Sequence, residues 1–375
     1  MKTRMLKGIT FFLLGFSLMA TANNTDPNKK KKQTIKVALL LDTSNSMDGL
    51  INQAKAQLWE IVNELSYAKY GIQKPDMEIA LYEYGNDRLE SSDGFVRQVL
   101  SFSSDLDEIS EKLFSLTTNG GKEYCGQVIS SSLKELKWGK NKNDLRLIFI
   151  AGNEPFTQGK INYKEAVSDA KEKDIIINTI FCGSYDQGVS GMWKDGANIG
   201  GGDYMTINQN KKIVHIITPY DDRIIILNKK LNKTYIYFGH RGYSKYASQA
   251  EQDDNAKKLN YAVAVKRTVS KSNRLYSNSS WDLVDKSEKE KVDYSKIERK
   301  QLPENLRNLS DTDLKKYVEK QRKVRSEIKK EINELNKKRR AFVAKKQKES
   351  VKKNELESVL IKAIKRQAMR KNYSW

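Results

Sequence analysis

The chain begins with short apolar runs of strand length that alternate with stretches in which apolar residues recur every three or four positions. Runs that are apolar on both faces, such as residues 35–41, are typical of strands buried in a parallel sheet. Predicted strands cover residues 35–41, 77–84, 95–102, 145–151, 175–181 and 203–207, and predicted helices cover 47–68, 105–116, 125–136, 163–173 and 193–199. Strands separated by helices predict an α/β fold with a doubly wound, mostly parallel sheet. The short link 85–94 predicts an antiparallel hairpin between the second and third strands.

After residue 209 the pattern changes to that of helices. We divide this part into a helical extension over residues 210–300 and a basic long-helix region over residues 301–375. In the second region a three-four spacing links Leu314, Val318, Gln321, Arg325, Ile328, Ile332, Leu335, Arg339 and Phe342. This spacing predicts a long helix and a coiled coil, although three polar residues interrupt the seam. A helical hairpin with residues 354–372 fits the same pattern.

The first predicted strand ends in Asp42, Ser44 and Ser46. Because these residues alternate at a spacing of two, a tight loop can turn all three oxygen groups toward one point. Ligands bind at the carboxyl ends of parallel strands, and hard oxygen ligands suit Mg²⁺, which keeps several waters. The competing interpretation is that one of the serines caps the next helix. At this point both interpretations stay open.

Asp-x-Ser-x-Ser after a buried strand resembles the metal-ion-dependent adhesion site of von Willebrand factor A domains. The stretch Trp193–Tyr204, with its helix, glycine turn and edge strand, is similar to the end of that domain. The resemblance covers residues 34–209 and implies a fold of this kind, related to the Rossmann fold.

The resemblance also implies a divalent cation, Mg²⁺ or alternatively Mn²⁺ or Ca²⁺, bound by three loops. The first loop matches in full. In the second loop Lys122 and Glu123 follow the glycine pair, and in the third the usual aspartate falls on Gly152. The expected ligands are Asp42, Ser44, Ser46, Glu123 and Asn153, with Glu154 as a substitute for Asn153. In the alternative, the ammonium of Lys122 neutralises Asp42 without metal.

The chain has two cysteines. Cys125 lies at the start of the helix after the second loop, and Cys182 follows the predicted strand 175–181, which lies beside the fourth predicted strand. If the fold is right, both lie on the edge of the sheet that bears the site. We expect a disulfide between them, which an exported protein can form. Two separate thiols are the alternative.

The N-terminus has a basic start, an apolar run over residues 8–20 and small residues at 20–22. This pattern predicts a signal peptide over residues 1–22, followed by a disordered basic tether over residues 23–33. We therefore expect a periplasmic or secreted protein, with a retained N-terminal anchor as the less favoured alternative.

The net charge of +21 is unevenly distributed. Residues 23–209 carry a net charge of −4 and residues 210–375 a net charge of +22. The basic half is typical either of a solvated helical surface or of attachment to an anionic envelope polymer or membrane surface. Export argues against nucleic acid as a partner.

The chain has two histidines and no nucleophile or metalloprotease motif, so we expect no enzyme. The leading hypothesis is an exported protein-interaction module whose bound cation is completed by a carboxylate of a protein partner. The alternative is a metal-free scaffold of the cell envelope that forms homo-oligomers through its C-terminal helices.

Overall fold

The computed structural model describes residues 32–208, 216–349 and 355–375. The predicted signal peptide, 1–22, and residues 23–31 of the predicted tether lie outside the described residues. Within the described ranges, no helix has the length and apolar composition needed to cross a bilayer.

The strands are β1 (Thr34–Asp42), β2 (Lys69–Tyr70), β3 (Asp76–Tyr84), β4 (Val96–Ser103), β5 (Leu145–Gly152), β6 (Ile176–Phe181), β7 (Gly201–Thr206) and β8 (Tyr373–Ser374). Six of them form one sheet in the order β4-β3-β1-β5-β6-β7. All neighbours are parallel except β3 and β4, which form the expected antiparallel pair. The prediction of a doubly wound, mostly parallel sheet is therefore confirmed.

The helices are α1 (Asp48–Leu65), α2 (Leu106–Phe114), α3 (Cys125–Glu135), α4 (Tyr163–Glu172), α5 (Tyr185–Ser190), α6 (Trp193–Ile199), α7 (Asp221–Asn232), α8 (Gly242–Leu259), α9 (Tyr261–Ser272), α10 (Leu283–Lys289), α11 (Asp311–Glu349) and α12 (Glu355–Met369). Within the sheet region, residues 34–208, the predicted helices match except for α5, which was not predicted. We call residues 216–375 the helical region.

Two apolar cores lie on opposite faces of the sheet, because successive side chains of a strand point to opposite faces. Val37 and Leu41 of β1 join the first core, beneath α1 and α2. Ala38 and Leu40 join the second core, beneath α3 and α4. The helical region completes the first core, where α9 and α12 pack against α1. The sheet region and the helical region therefore share one core.

Helix α11 uses its apolar seam within this chain, against α7, α9 and α10. Leu314, Val318, Ile328 and Ile332 of the seam are buried. Arg325 is buried as well, and it pairs with carboxylates of its own chain. The residues that predicted a coiled coil thus belong to an intramolecular interface, and the interrupting arginine is a partner for buried acids.

The last segment of the chain returns to the sheet region. Helix α12 packs against α1 and β7, and β8 pairs with β2 beside the end of α1. The indole N–H of Trp375 donates a hydrogen bond to the Glu64 carbonyl oxygen over 3.1 Å. This segment therefore covers a flank of the sheet region.

Candidate metal site at the carboxyl end of the sheet

The first loop of the site follows β1, whose last residue, Asp42, is fully buried. The backbone N–H of Ser44 donates to Asp42 Oδ1 over 2.7 Å, and the hydroxyl oxygens of Ser44 and Ser46 lie 3.5 Å apart. Ser44 precedes a 3₁₀ turn, Asn45–Met47, without capping it through its side chain. Met47 precedes α1 and no side chain in the described ranges caps this helix, so the interpretation that one of the two serines is a helix cap is wrong.

The second loop brings the carboxylate of Glu123 beside Asp42. Glu123 is 2 % exposed, its backbone N–H donates to Gln158 Oε1 over 2.6 Å, and its Oε2 accepts from the Glu154 N–H over 3.2 Å. Gly85 lies beneath both acids. A Cβ there would be 2.8 Å from Asp42 Oδ1 and 2.9 Å from Glu123 Cγ, and the φ of +82° also favours glycine. The two carboxyl groups thus converge in a space that only a glycine leaves open.

The third loop supplies an amide but no buried carboxylate. A Cβ at Gly152 would lie 2.6 Å from the Tyr84 hydroxyl and 3.3 Å from Asp42 Cβ, so Tyr84 fills the space that an aspartate would need. Asn153 Oδ1 accepts from the Ser46 hydroxyl over 3.5 Å. Glu154 contributes backbone hydrogen bonds, to Glu123 and to the Trp193 indole. The structure therefore brings Asp42, Ser44, Ser46, Glu123 and Asn153 together.

The electrostatics of the pair call for a cation or a proton. Burial and the neighbouring Glu123 raise the pKa of Asp42 well above its ordinary value, against the lowering effect of the Ser44 backbone. Asp42 Oδ2 has no hydrogen-bond donor among the described residues unless a proton shared with the carboxyl group of Glu123 supplies one. A buried carboxylate oxygen without a donor is costly unless a counter-charge accompanies it.

The donors fit a hard divalent cation. Two carboxylates, two hydroxyls and an amide oxygen suit Mg²⁺, which takes few protein carboxylates and completes its shell with water. Across the described ranges no group of three or more His, Cys, Asp or Glu side chains is placed to hold a metal. Uncharged oxygens and water would therefore supply most of the coordination.

Lys122 does not neutralise Asp42. Its ammonium lies over the Phe95 ring, 5.2 Å from the ring centre, and the side chain is exposed. The alternative in which Lys122 replaces the metal is therefore not supported by the structure.

The expected disulfide is absent: Cys125 and Cys182 are free and buried. Cys125 belongs to the core on the second face of the sheet and Cys182 to the core on the first, so the sheet separates them. The thiol of Cys125 contacts the Tyr84 hydroxyl, 3.8 Å away. Burial raises the pKa of both thiols well above the ordinary value.

Sequence patterns missed two parts of this edge. Tyr84 fills the space beside Gly152, but no local sequence pattern indicates this, because its neighbours Gly152 and Cys125 are distant in the chain. Helix α5 does have a local sequence signal. Ser184 and Gln187 form a capping box, the Ser-x-x-Gln pattern that marks a helix start.

The comparisons agree with this architecture. Residues 36–190 match the family model of the von Willebrand factor type A domain. No curated protein matches the chain significantly.

Among solved structures, the chain is similar to BatB from Bacteroides thetaiotaomicron, with 17% identity over 46% of this chain and 90% of that one and a TM-score of 0.36. The SpRpn10 VWA domain has 16% identity, over 48% and 90%, with a TM-score of 0.35. Mussel byssus proximal thread matrix protein 1, in a structure with a zinc-occupied MIDAS motif, has 13% identity, over 48% and 43%, with a TM-score of 0.35. Similarities at this level carry no information about function.

Proposed function

We propose that the protein is an exported, non-enzymatic interaction module that binds a protein partner through a divalent cation. Asp42, Ser44, Ser46, Glu123 and Asn153 hold the cation, with Mg²⁺ as the first choice and Mn²⁺ or Ca²⁺ as alternatives. A carboxylate of the partner completes the coordination. The match of residues 36–190 to a domain that mediates interactions in many proteins supports this function.

One observation carries the proposal: two buried carboxyl groups, Asp42 and Glu123, face each other, and Asp42 Oδ2 has no hydrogen-bond donor among the described residues other than a proton shared with Glu123. Ser46 is exposed and Asn153 is partly exposed, so the pair opens toward solvent on that side. A cation bound there would keep open positions for water or a partner's oxygen.

Calorimetric titration of the protein with MgCl₂ and MnCl₂ tests the proposal. We expect one saturable site that Asp42→Asn abolishes, because the variant keeps the shape but loses the charge. Asp169→Asn, an exposed aspartate of α4, is the matched control and should bind like the parent protein. Absence of binding by both ions, or equal binding by the Asp42 variant, would contradict the proposal.

The scaffold alternative loses its main support, because the seam of α11 is buried within its own chain. Attachment to an anionic polymer or membrane surface stays a prediction for the exposed lysines of α11. Several basic side chains of the helical region already pair with acids of the sheet region: Lys245 with Asp105, Lys266 with Glu60, Arg267 with Asp107, Arg340 and Lys365 with Glu64, Arg366 with Asp203, and Lys371 with Asp174.

A further inference from the structure

An exposed apolar patch lies on α5 and the turn that follows it. Tyr185, Val189 and Met192 are 50, 37 and 41 % exposed. Tyr185 and Val189 are four residues apart on one helix and therefore share a face. The ammonium of Lys194 lies over the Tyr185 ring, 5.3 Å from its centre, so Val189 and Met192 form the apolar part of the patch. The Met192 N–H donates to the Val189 carbonyl oxygen over 3.1 Å, which places the backbone of Met192 beside Val189.

Met192 is held in a backbone conformation that is unfavourable for it. Its φ is +66° and its ψ is +14°, in the left-handed region that favours Gly, Asn or Asp. The same residue exposes a large apolar side chain to water. Neither feature stabilises the fold, and residues kept in such conformations cluster at functional sites.

The patch is joined to the third loop of the candidate metal site by two hydrogen bonds. The Phe156 N–H donates to the Gly191 carbonyl oxygen, and the Trp193 indole N–H donates to the Glu154 carbonyl oxygen, both over 2.8 Å. Glu154 is the neighbour of Asn153, and Trp193 is the neighbour of Met192. The patch and the site therefore lie side by side on one edge of the molecule.

We infer that this patch is the apolar half of the partner-binding surface. The inference rests on the proposed function and specifies its partner. The partner is a protein loop that carries a carboxylate for the cation and an apolar side chain that packs on Val189 and Met192. The charge of the cation selects the first group, and the exposed apolar surface selects the second.

The spacing within the partner follows from the path between the two halves. The Cα atoms of Met192 and Asn153 are joined by a path that runs through the Trp193–Glu154 hydrogen bond. This path is at most roughly 18 Å long, a distance that about five extended residues span. The apolar side chain of the partner therefore lies within about five residues of its carboxylate.

A library of disulfide-closed random peptides, displayed on phage and selected on the protein in MgCl₂ with elution by EDTA, supplies a defined probe. We expect the selected peptides to share an Asp or Glu and an apolar residue at this spacing. Their affinities are then measured for the parent protein and for Met192→Asn, which suits the left-handed backbone and removes the apolar surface.

Met192→Asn should weaken these peptides about tenfold, or about 1.4 kcal/mol, and should leave Mg²⁺ binding and thermal stability intact. Met369→Asn, a 60 % exposed methionine on α12, is the matched control and should bind like the parent. Peptides that need Mg²⁺ but bind the Met192 variant normally would overturn the inference and leave the proposed function standing. Failure to obtain any Mg²⁺-dependent peptide would overturn the inference, and equal Mg²⁺ binding by the parent protein and Asp42→Asn in calorimetry would overturn the proposed function as well.

Discussion

Buried carboxylates occur in two kinds of surroundings in this protein. In the helical region, Asp253 lies 2.6 Å from Arg267 Nε and 2.8 Å from Lys271 Nζ, and both basic side chains are buried. Asp282 and Asp285 share the guanidinium of Arg325 in the same way. At the carboxyl end of the sheet, Asp42 and Glu123 face each other instead. Among the described residues, no ion pair joins either of them to a basic side chain.

This difference separates the acids that stabilise the fold through ion pairs from the acids that have no basic partner within the described part of the chain. A buried carboxylate is tolerated when a cation offsets its desolvation, and the helical region supplies that cation from its own sequence. Ion pairs between the two regions also account for part of the uneven charge of the chain, because basic side chains of the helical region pair with acids of the sheet region. At Asp42 the described residues supply no basic side chain, so the charge is offset either by a proton, which the raised pKa favours, or by a bound cation.

Removal of Arg325 should have the largest effect. Arg325→Leu leaves Asp282 and Asp285 buried without their cation, so we expect a loss of about 3–5 kcal/mol in the free energy of unfolding, measured by urea denaturation. Arg322→Leu changes an exposed arginine one turn away on the same helix and should change stability by less than about 0.5 kcal/mol. Equal effects of the two variants would mean that burial of the pair is not what matters.

The same substitution should have opposite signs in the two surroundings. At neutral pH without divalent cations, Asp253→Asn should lower the free energy of unfolding by about 2–4 kcal/mol, whereas Asp42→Asn should raise it by about 1 kcal/mol. Both are read from urea denaturation in EDTA. In saturating MgCl₂ the order at Asp42 should reverse, because only the parent protein gains from the ion.

The pH dependence follows from the pKa directions. Burial tends to raise the pKa of Asp253, but Lys271 and Arg267 lower it below the ordinary value. Its contribution is therefore present above about pH 4 and is lost as the pH falls further. The pKa of Asp42 is raised, so the protein in EDTA should lose stability as the pH rises above about 4. The measurement is the difference in unfolding free energy between the parent and each Asn variant as a function of pH. If the two differences change with pH in the same direction, the contrast between the surroundings is wrong.

Gly85→Ala should damage the space shared by the two site acids. The new Cβ would contact Asp42 and Glu123 and would also require a positive φ, so we expect a loss of about 2 kcal/mol and weaker Mg²⁺ binding in calorimetry. Gly71 has a φ of +58°, and a Cβ added there would meet no atom within 4 Å. Gly71→Ala should therefore cost about 1 kcal/mol and leave Mg²⁺ binding unchanged, which separates the clash from the backbone strain.

How far the sequence could be interpreted depended on whether the relevant contacts were local. Apolar runs and helical spacings predicted the sheet and nearly all of its helices, because those patterns record burial directly. Asp42, Ser44 and Ser46 were found together because they share one loop. Two other features depend on contacts between distant segments: the packing of Tyr84 against Gly152, and the ion pairs of Arg325. The interruption of the α11 seam by Arg325 was visible, but its cause, two aspartates 40 and 43 residues earlier, was not.

The smallest effect is expected for an exposed ion pair between α12 and the sheet. Arg366 of α12 pairs with Asp203 of β7, but its side chain is 52 % exposed and that of Asp203 is 23 % exposed. Water and salt screen such a pair, so Arg366→Ala should lower the free energy of unfolding by less than about 1 kcal/mol. Urea denaturation at low and at high NaCl concentration should show this loss shrinking with salt. The loss from Arg325→Leu should stay nearly constant, since its partners are buried. A salt-insensitive loss of several kcal/mol at Arg366 would show that exposure does not divide the ion pairs of this protein into weak and strong ones.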